Sequence, residues 1–461
     1  MLEEKTFPCH VEGPVVRHPF TDSGNAERYC DRYAEDTRFN VDTKEFLLYG
    51  ERSWEVDMTG RTTQRMVHVA RKMGDEAKFY FSPSDLKELE DWKKQSENRN
   101  RIENAMHLVK SQPGIAIRAE ILDANRYLFN MENGTLDLKT GSIRPHDRAN
   151  YITRIAPVHY DSSATCPLWE DFVYKLFGGN KNIIEFVQRL VGYSLTGNVG
   201  EQILIMLFGD GGCGKSTFAE TIQNLMGKYS KTMAPGLLVE TRNDLHPTAM
   251  ADLFGTRFAV TAEIEEGQRL KESLTKQLTG GDRIKARKMF HDYFEFRPTH
   301  KIWMLVNHLP VIRGTDDGIW RRIIVIPCHK GFSEAERDIH LLDTLLTERS
   351  GILNWAIDGL KDWLTNGLQV PTEIHQVVEE YRTGMDTVSL FLSECCLYGS
   401  KMHVTVDDMY QTFAKWCEDA GRIPVSKRAL GIRLKQRFSS GKIGGKRGWL
   451  AVGLRSDRDD I

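Results

Sequence analysis

The sequence predicts an α/β protein with a buried, largely parallel β-sheet at its centre. Four short apolar runs lie between Glu201 and Pro327, each bounded by polar, glycine or proline residues: ILIMLF, FAVTA, IWMLV and IIVI. Strands that are buried on both faces of a sheet have this continuous apolar character. Segments with helical periodicity separate the runs, as alternation of strands and helices requires.

Composition narrows the class of protein. The chain has 461 residues, 40% hydrophobic and 27% charged, which is enough for about three domains and too apolar for wholesale disorder. No apolar run reaches the roughly 18 residues of a membrane span, and the N-terminus lacks the apolar segment of a secretion signal. We therefore expect no membrane partner and a cytoplasmic location, in the host cytoplasm if a phage or virus encodes the chain. The eight cysteines include no C-x-x-C pair, which argues against a zinc ribbon, and that location argues against disulfides.

The segments before the first apolar run favour helices. Ser84–Lys110 predicts one amphipathic helix, or two helices broken near Asn98–Asn100. Trp169–Leu195 is also helical in pattern. Between them, two turn dipeptides bracket the alternating run Thr135–Lys139, which predicts a small hairpin. We expect an α-rich N-terminal region that contains this hairpin.

A glycine-rich loop follows the first apolar run and satisfies the pattern G-x-x-x-x-G-K-[ST]. A strand precedes it and a helical segment follows it, which is the context that a phosphate-binding loop requires. Its glycines let successive backbone N–H groups surround phosphate oxygens at a helix N-terminus. We expect Lys215 to reach the β- and γ-phosphates of ATP and Ser216 to ligate Mg²⁺. The predicted nucleotide-binding residues are Gly209, Asp210, Gly211, Gly212, Cys213, Gly214, Lys215, Ser216 and Thr217.

Polar residues also follow two later apolar runs. FAVTA leads into Glu263 and Glu265, which point to the same side if the strand continues. One can hold the metal, for which Glu263 is our candidate beside Ser216, and the other can polarise the attacking water; which carboxylate does which stays open. IWMLV ends at Asn307, whose amide can hydrogen-bond the γ-phosphate or that water. These three residues and Lys215 form the predicted catalytic set, to which the pair Arg321 and Arg322 is added below.

Together these motifs resemble a superfamily 3 helicase, most closely the poxvirus-type primase-helicase family and its phage and plasmid relatives. The segments TDSGNAER from Thr21, NGTLDL from Asn133, GYSLTG from Gly192 and TGGD from Thr279 resemble further signatures of that family, over roughly residues 20–370. Cys213 departs from the asparagine that many relatives carry. The resemblance implies an AAA+-like core, a homo-hexameric ring, ATP and Mg²⁺ as cofactors, and 3′–5′ translocation on single-stranded DNA in a central channel. One arginine of the pair would act on a neighbour's γ-phosphate, as an arginine finger does.

The same resemblance organises the chain into six predicted regions. About twenty residues precede the TDSGNAER motif, so we expect the helicase portion without a primase domain, and a separate primase or polymerase as a further partner. The predicted regions are a tail (1–20), a family-specific N-terminal domain (21–160), a helical oligomerisation segment (161–200), the helicase core (201–335), a helical extension (336–371) and a basic C-terminal domain (372–461).

Two segments are candidates for DNA contact. The family places a hairpin between the acidic motif and the asparagine strand, which would put Lys288 and His291 near a tip inside the channel; an ordinary edge hairpin is the alternative. Val425–Arg455 has nine basic and no acidic residues. A helix over Val406–Glu418, a basic helix over Lys427–Phe438 and a basic strand–loop–strand together predict a winged-helix-like domain; a basic solubilising tail or a protein-docking module is the alternative. Its candidate contacts with duplex DNA are Lys427, Arg428, Arg433 and Arg437.

The sequence thus predicts an ATP-dependent DNA helicase in phage, plasmid or viral replication. The alternative is an ATP-dependent DNA-binding switch that does not translocate, such as an origin-binding or packaging regulator. A P-loop kinase for small molecules is disfavoured by the basic terminus and the arginine pair.

Overall fold

The computed structural model describes residues 16–234, 236–240, 248–262, 267–287, 293–314, 316–329, 338–385, 387–421, 424–435 and 437–455. The N-terminal part of the chain combines helices with a small sheet. Its elements are α1 (Asp22–Tyr33), β1 (Thr37–Asn40), β2 (Glu45–Tyr49), β3 (Trp54–Val56), α2 (Arg61–Lys72), α3 (Pro83–Ser96), α4 (Arg99–Val109) and β4 (Ala116–Ile117). The strands form a sheet in the order β3-β2-β1-β4. The expected α-rich region is therefore a mixed one, while the predicted break between two helices near Asn98 is confirmed.

The predicted hairpin is part of a three-stranded antiparallel sheet. It consists of β5 (Leu128–Met131), β6 (Gly134–Asp137) and β7 (Ser142–Arg144). Met131 pairs with Gly134, so only two residues connect β5 to β6. Asn130 ties this sheet to its surroundings, because its buried amide donates to the carbonyl oxygens of Arg52 and Arg154.

The four apolar runs are strands of one parallel sheet, as predicted. The elements of this part are α5 (Pro167–Leu176), α6 (Lys181–Leu195), β8 (Leu204–Phe208), α7 (Lys215–Met226), β9 (Ser230–Thr232), α8 (Thr248–Ala251), β10 (Phe258–Ala262), α9 (Glu272–Thr279), β11 (Ile284–Arg287), β12 (Tyr293–Phe296), β13 (Lys301–Val306), α10 (Asp317–Trp320) and β14 (Ile323–Pro327). The strand order is β14-β8-β13-β10-β9, with every neighbouring pair parallel. The strands β11 and β12 form a separate antiparallel pair.

Three further helices complete the packing around this sheet: α11 (Leu341–Leu346), α12 (Arg349–Asn366) and α13 (Thr372–Met385). Two glycines allow α6 and α12 to cross closely. A Cβ atom on Gly192 would lie 2.2 Å from the backbone nitrogen of Leu360, and one on Gly359 would lie 2.1 Å from the carbonyl oxygen of Gln188. Side chains at either position would force the two helices apart.

The helix α13 packs against the parallel-sheet part of the chain. The Tyr381 hydroxyl donates to the carbonyl oxygen of Pro310, and its ring meets that of Trp320 edge-on at 5.2 Å. Arg382 forms an ion pair with Asp317 at 2.7 Å. The residues that follow the predicted boundary at 371 thus begin with a helix that buries its aromatic residue against the core.

The last part of the chain has its own hydrophobic cluster, which includes the buried side chains of Phe391, Phe413 and Trp449. Its elements are α14 (Thr387–Cys395), β15 (Cys396–Thr405), α15 (Val406–Asp419), α16 (Lys427–Lys435), β16 (Ser440–Ile443) and β17 (Lys446–Leu454). The three strands form an antiparallel sheet in the order β15-β17-β16. Gly444 and Gly445 both have positive φ (54° and 83°), as a two-residue hairpin turn of type I′ requires. No helix in the described ranges combines the length and apolarity needed to cross a membrane.

Candidate nucleotide site

The glycine-rich loop lies at the carboxyl end of β8, inside the parallel sheet. Gly212 and Gly214 have φ values of 81° and 102°, a backbone conformation that side chains with a Cβ rarely adopt. Gly214 is the N-cap of α7, so the loop passes directly into a helix. A Cβ on Gly214 would lie 3.2 Å from the Phe172 ring. The loop therefore has the local geometry that the motif predicts.

Lys215 is folded back onto the loop. Its side chain is buried, and its ammonium group donates to the carbonyl oxygens of Gly209 at 2.5 Å and Asp210 at 2.9 Å. A third contact, 3.4 Å long, joins the ammonium to the Cys213 sulfur. Ser216 is exposed at the start of the same helix. The loop thus holds one cation at its centre and a hydroxyl beside it.

The strand that ends at Asn307 lies between the loop strand and the strand that leads to the acidic motif. Val306 pairs with Phe208, and Leu305 pairs with Ala262, so the carboxyl ends of β13, β8 and β10 are level. Asn307 is exposed at this edge. Ligands of open α/β sheets bind outside the carboxyl ends of the strands. Glu263 and Glu265 lie outside the described residues, and β10 ends one residue before Glu263.

The arginine pair lies at the opposite, amino end of the sheet. Arg321 is exposed, and Arg322, immediately before β14, is 9% exposed. One η-nitrogen from each donates to Oε1 of Gln202 at 3.1 Å. Arg322 also donates to the carbonyl oxygen of Gly318. The two arginines therefore differ: one guanidinium is held in the fold and the other faces solvent.

The candidate DNA-contact residues have separate locations. Lys288 and His291 lie outside the described residues, although β11 and β12, the arms of the expected hairpin, are present. Lys427 pairs with Asp407, and Arg428 is exposed. Arg433 donates to the carbonyl oxygen of Arg313, and Arg437 donates to the Ser389 hydroxyl at 2.7 Å. Three of the four basic residues thus contact residues outside α16.

The TDSGNAER segment has a structural role in the fold. Thr21 caps α1 through its side chain. Arg28 and Glu76 form a buried ion pair with nitrogen–oxygen distances of 2.5 and 2.8 Å. The Asn25 carbonyl oxygen accepts from the indole of Trp92, and its amide donates to Ser96. The Asn25 contacts join α1 to α3, and the ion pair joins α1 to the segment between α2 and α3.

The GYSLTG segment is joined to the amino end of the sheet by two buried cations. The Arg257 guanidinium donates to the carbonyl oxygens of Leu195 and Leu128 at 2.6 and 2.7 Å. The Lys301 ammonium donates to carbonyl oxygens that include that of Thr196, and burial lowers the pKa of this ammonium well below its usual value. The GYSLTG segment therefore joins the end of α6 to the parallel sheet.

Two residues near these groups were not found from the sequence. Gln202 accepts from both arginines although it precedes them by about 120 positions. Cys328 follows β14 and lies beside the glycine-rich loop. A Cβ atom added to Gly209 would be 3.1 Å from the Cβ of Cys328. Both contacts depend on the placement of β14 next to β8. In the sequence, the one hint of these contacts is that Gln202 stands just before an apolar run and Cys328 just after one.

Three family models match consecutive parts of the chain. The D5 N-terminal-like model matches residues 26–178, a family of unknown function (DUF5906) matches residues 207–322, and the poxvirus D5 protein-like model matches residues 383–452. The glycine-rich loop, Asn307 and the arginine pair all lie within the second match.

Virus proteins and solved structures resemble the same regions. "Putative helicase L207/L206" of Acanthamoeba polyphaga mimivirus is 29% identical over 66% of this chain and 35% of its own length. A like-named protein, 184R of Invertebrate iridescent virus 6, is 25% identical over 72% of this chain and 38% of its own length. The chain thus spans little more than a third of these relatives. The apo C-terminal region of NrS-1 has the same fold, with a TM-score of 0.53 and 10% identity over 90% of this chain and 96% of that one.

Proposed function

We propose, from its kinship with the poxvirus D5-like helicase family, that this chain is an ATP-dependent DNA helicase of superfamily 3. It would act in viral, phage or plasmid DNA replication, as a ring of six copies that moves 3′–5′ along single-stranded DNA in a central channel. The observation that carries this proposal is the arrangement at the sheet edge. A phosphate-binding loop and an exposed asparagine follow neighbouring parallel strands, and the strand beyond them leads to two carboxylates.

The loop residues would bind the triphosphate of ATP. Backbone N–H groups from Gly209 to Thr217 would surround the phosphates, and Lys215 would exchange its carbonyl partners for β- and γ-phosphate oxygens. The donor set fits Mg²⁺, which prefers oxygen ligands: Ser216 offers an exposed hydroxyl, and Glu263 would supply a carboxylate. When bound, Mg²⁺ neutralises charge on the β- and γ-phosphates. Glu265 and Asn307 would orient the attacking water and the γ-phosphate.

Arg321 is the better candidate for the arginine finger. It lies at the amino end of the sheet, whereas the loop of the same chain lies at the carboxyl end. It therefore faces away from its own nucleotide and would reach that of a neighbouring copy. Arg322, buried and donating to Gln202 and Gly318, would hold the segment in position.

The C-terminal part would contact duplex DNA as a winged-helix-like domain. Its order of helix, strand, two helices and two strands supports this assignment, and Lys442, Lys446 and Arg447 are exposed on the β16–β17 hairpin. Lys427 and Arg428 lie at the start of α16, the end from which recognition helices contact bases. A separate primase or polymerase remains a proposed partner of the ring.

The test is ATP hydrolysis and strand displacement by the purified chain with a forked DNA substrate. We expect single-stranded DNA to stimulate hydrolysis, and Lys215→Ala to abolish both activities because it removes the cation that binds the phosphates. Lys231→Ala, which removes an exposed lysine on β9, is the matched control and should leave both activities unchanged. Turnover by Lys215→Ala within a few-fold of the unmodified chain would refute the nucleotide site. Hydrolysis without strand displacement would instead favour the non-translocating switch.

A further inference from the structure

Two cysteines meet beside the phosphate-binding loop. Cys213 is the fifth residue of the loop, and its side chain is turned inward, with 2% of its surface exposed. Cys328 is the first residue after β14, and its backbone N–H donates to the carbonyl oxygen of Phe208 at 2.7 Å. A Cβ placed on Gly209 would be 3.3 Å from the Cys213 sulfur and 3.1 Å from the Cys328 Cβ. The Cys213 sulfur and the Cβ of Cys328 therefore lie against the same glycine.

The surroundings make the two thiols unequal. The hydrogen bond from Cys328, together with the Lys215 ammonium 3.4 Å away, lowers the pKa of the Cys213 thiol to about 6. The pKa of the Cys328 thiol is raised well above its usual value, mainly by its hydrogen bond to Cys213 and also by burial. Cys213, which contacts the Lys215 ammonium, is therefore the more acidic thiol of the pair. The thiolate is the form that attacks oxidants and disulfides.

Three other cysteines have thiol pKa values that are raised, in contrast to the lowered pKa of Cys213. Burial raises the pKa of the Cys30, Cys166 and Cys396 thiols to about 12. These thiols are protonated at neutral pH and react slowly. Cys328 is half-buried, so part of its surface is accessible to solvent, whereas Cys213 is buried.

We propose that Cys213 and Cys328 form an oxidative modification site whose substrate is a small hydroperoxide and whose product is a disulfide across the phosphate-binding loop. The Cys213 thiolate attacks one peroxide oxygen, the O–O bond breaks, and the leaving oxygen takes a proton, so that Cys213 becomes a sulfenic acid. The sulfur of Cys328 then attacks that of Cys213, and the hydroxyl group leaves as water with the Cys328 proton. The two sulfurs together lose two electrons, which reduce the peroxide to water or an alcohol and water.

The disulfide would disturb the loop that the proposed function assigns to ATP, and this consequence rests on that assignment. A disulfide bond is about 2.05 Å long, much shorter than a hydrogen-bonded pair of sulfur atoms, so Cys213 must move towards β14. The backbone around Gly212 and Gly214, which would surround the phosphates, moves with it. Displacements near 1 Å can lower reaction rates about 100-fold. We therefore expect oxidation to lower ATP hydrolysis at least tenfold and reduction to restore it.

The experiment treats the whole chain with hydrogen peroxide and follows two readouts: ATP hydrolysis, and the disulfide peptide in a non-reducing digest by mass spectrometry. We expect a peptide that links Cys213 to Cys328, a loss of hydrolysis in proportion to it, and recovery of both with dithiothreitol. Cys328→Ser should have normal hydrolysis before treatment, form no linked peptide and lose activity at least ten times more slowly. Cys30→Ser is the control, because it removes a thiol in α1 that is distant in sequence from both cysteines of the pair. This variant should form the linked peptide and lose hydrolysis as the unmodified chain does.

Two outcomes would contradict different parts of the proposal. The absence of the linked peptide while another cysteine is oxidised would overturn the modification site itself. A complete Cys213–Cys328 disulfide with hydrolysis unchanged would overturn the proposed effect of the disulfide on the loop. A chain that forms the disulfide but never hydrolyses ATP, even when fully reduced, would instead contradict the proposed function and leave the modification site established.

Discussion

Two adjacent arginines of similar chemistry have different environments in the fold. Both donate to Gln202, but Arg321 is exposed, whereas Arg322 is 9% exposed and also donates to Gly318. A residue that acts on a neighbouring copy must extend beyond its own chain. The buried Arg322 guanidinium is instead held in place by contacts within its own chain. The pair therefore divides into a candidate catalytic residue and a positioning residue.

Substitution of each arginine by alanine separates these roles. We expect Arg321→Ala to lower kcat for ATP hydrolysis at least 100-fold with an unchanged melting temperature, because an arginine finger contributes about 10³–10⁵ in rate. Arg322→Ala should lower the melting temperature, since it removes a buried side chain and leaves the half-buried Gly318 carbonyl oxygen without this donor. Hydrolysis and thermal melting of both variants provide the measurements. The reverse pattern, with a stable but inactive Arg322→Ala chain, would assign the finger to Arg322.

The geometry of the glycine-rich loop could be predicted from the sequence because that loop is local. The glycines, Lys215 and the helix that follows are all contained in one short pattern, so their geometry depends on few distant residues. The difference between Arg321 and Arg322 could not be predicted in this way. It depends on burial in the folded chain: both arginines donate to Gln202, but Arg322 is 9% exposed whereas Arg321 faces solvent.

Among the elements, strands with continuous apolar sequences were predicted and short mixed strands were missed. The strands β8, β10, β13 and β14 are buried on both faces, so nearly every side chain is apolar. The first strand of the N-terminal sheet has the sequence TRFN, and its parallel neighbour β4 has two residues. Such strands are too short to show a period.

The crossing of α6 and α12 leads to a prediction about helix packing. We expect Gly359→Ala to destabilise the chain by about 1–3 kcal/mol, the usual cost of an extra group in a packed core, because the new Cβ would lie 2.1 Å from the carbonyl oxygen of Gln188. The matched change is Gly431→Ala in α16, where no described atom lies within 4 Å of the added Cβ. That variant should melt at the same or a higher temperature, since alanine favours helix.

Differential scanning calorimetry of both variants measures the effect. Equal melting temperatures for Gly359→Ala and the unmodified chain would mean that α6 and α12 separate without cost. That result would contradict the close helix crossing.

At the scale of the whole molecule, α13 decides where the C-terminal part can be removed. A chain that ends at residue 371 loses Tyr381, which is buried against the core and donates to Pro310. We expect a chain that ends at residue 385 to retain ATP hydrolysis and assembly and to bind duplex DNA more weakly. The shorter chain should also lose thermal stability. Hydrolysis, calorimetry and DNA-binding isotherms of the two truncations give the comparison; equal duplex affinity of the full and 385-residue chains would contradict the proposed DNA contact.

A change of surface charge tests the same contact without a deletion. Each lost phosphate contact lowers the slope of log K against log salt by about 0.9. We expect alanine at Lys427, Arg428, Arg433 and Arg437 to reduce both affinity and slope for duplex DNA. The control removes four exposed lysines elsewhere: Lys87, Lys94, Lys181 and Lys361. Equal losses of affinity and slope in both variants would show that duplex binding depends only on the net charge of the chain.

The final prediction concerns the assembly, because the sheet separates the loop from the arginine pair. Lys215 is at the carboxyl end and Arg321 at the amino end, so the proposed ATP site would take its residues from two copies. Arg321→Ala and Lys215→Ala chains are each expected to be inactive. In a mixed ring, a copy with an intact loop next to a copy with an intact arginine restores one complete site. Hydrolysis should therefore rise when the two variants are mixed, with a maximum near equal amounts. Mixed rings that assemble normally yet hydrolyse no ATP at any ratio would require each copy to supply its own arginine.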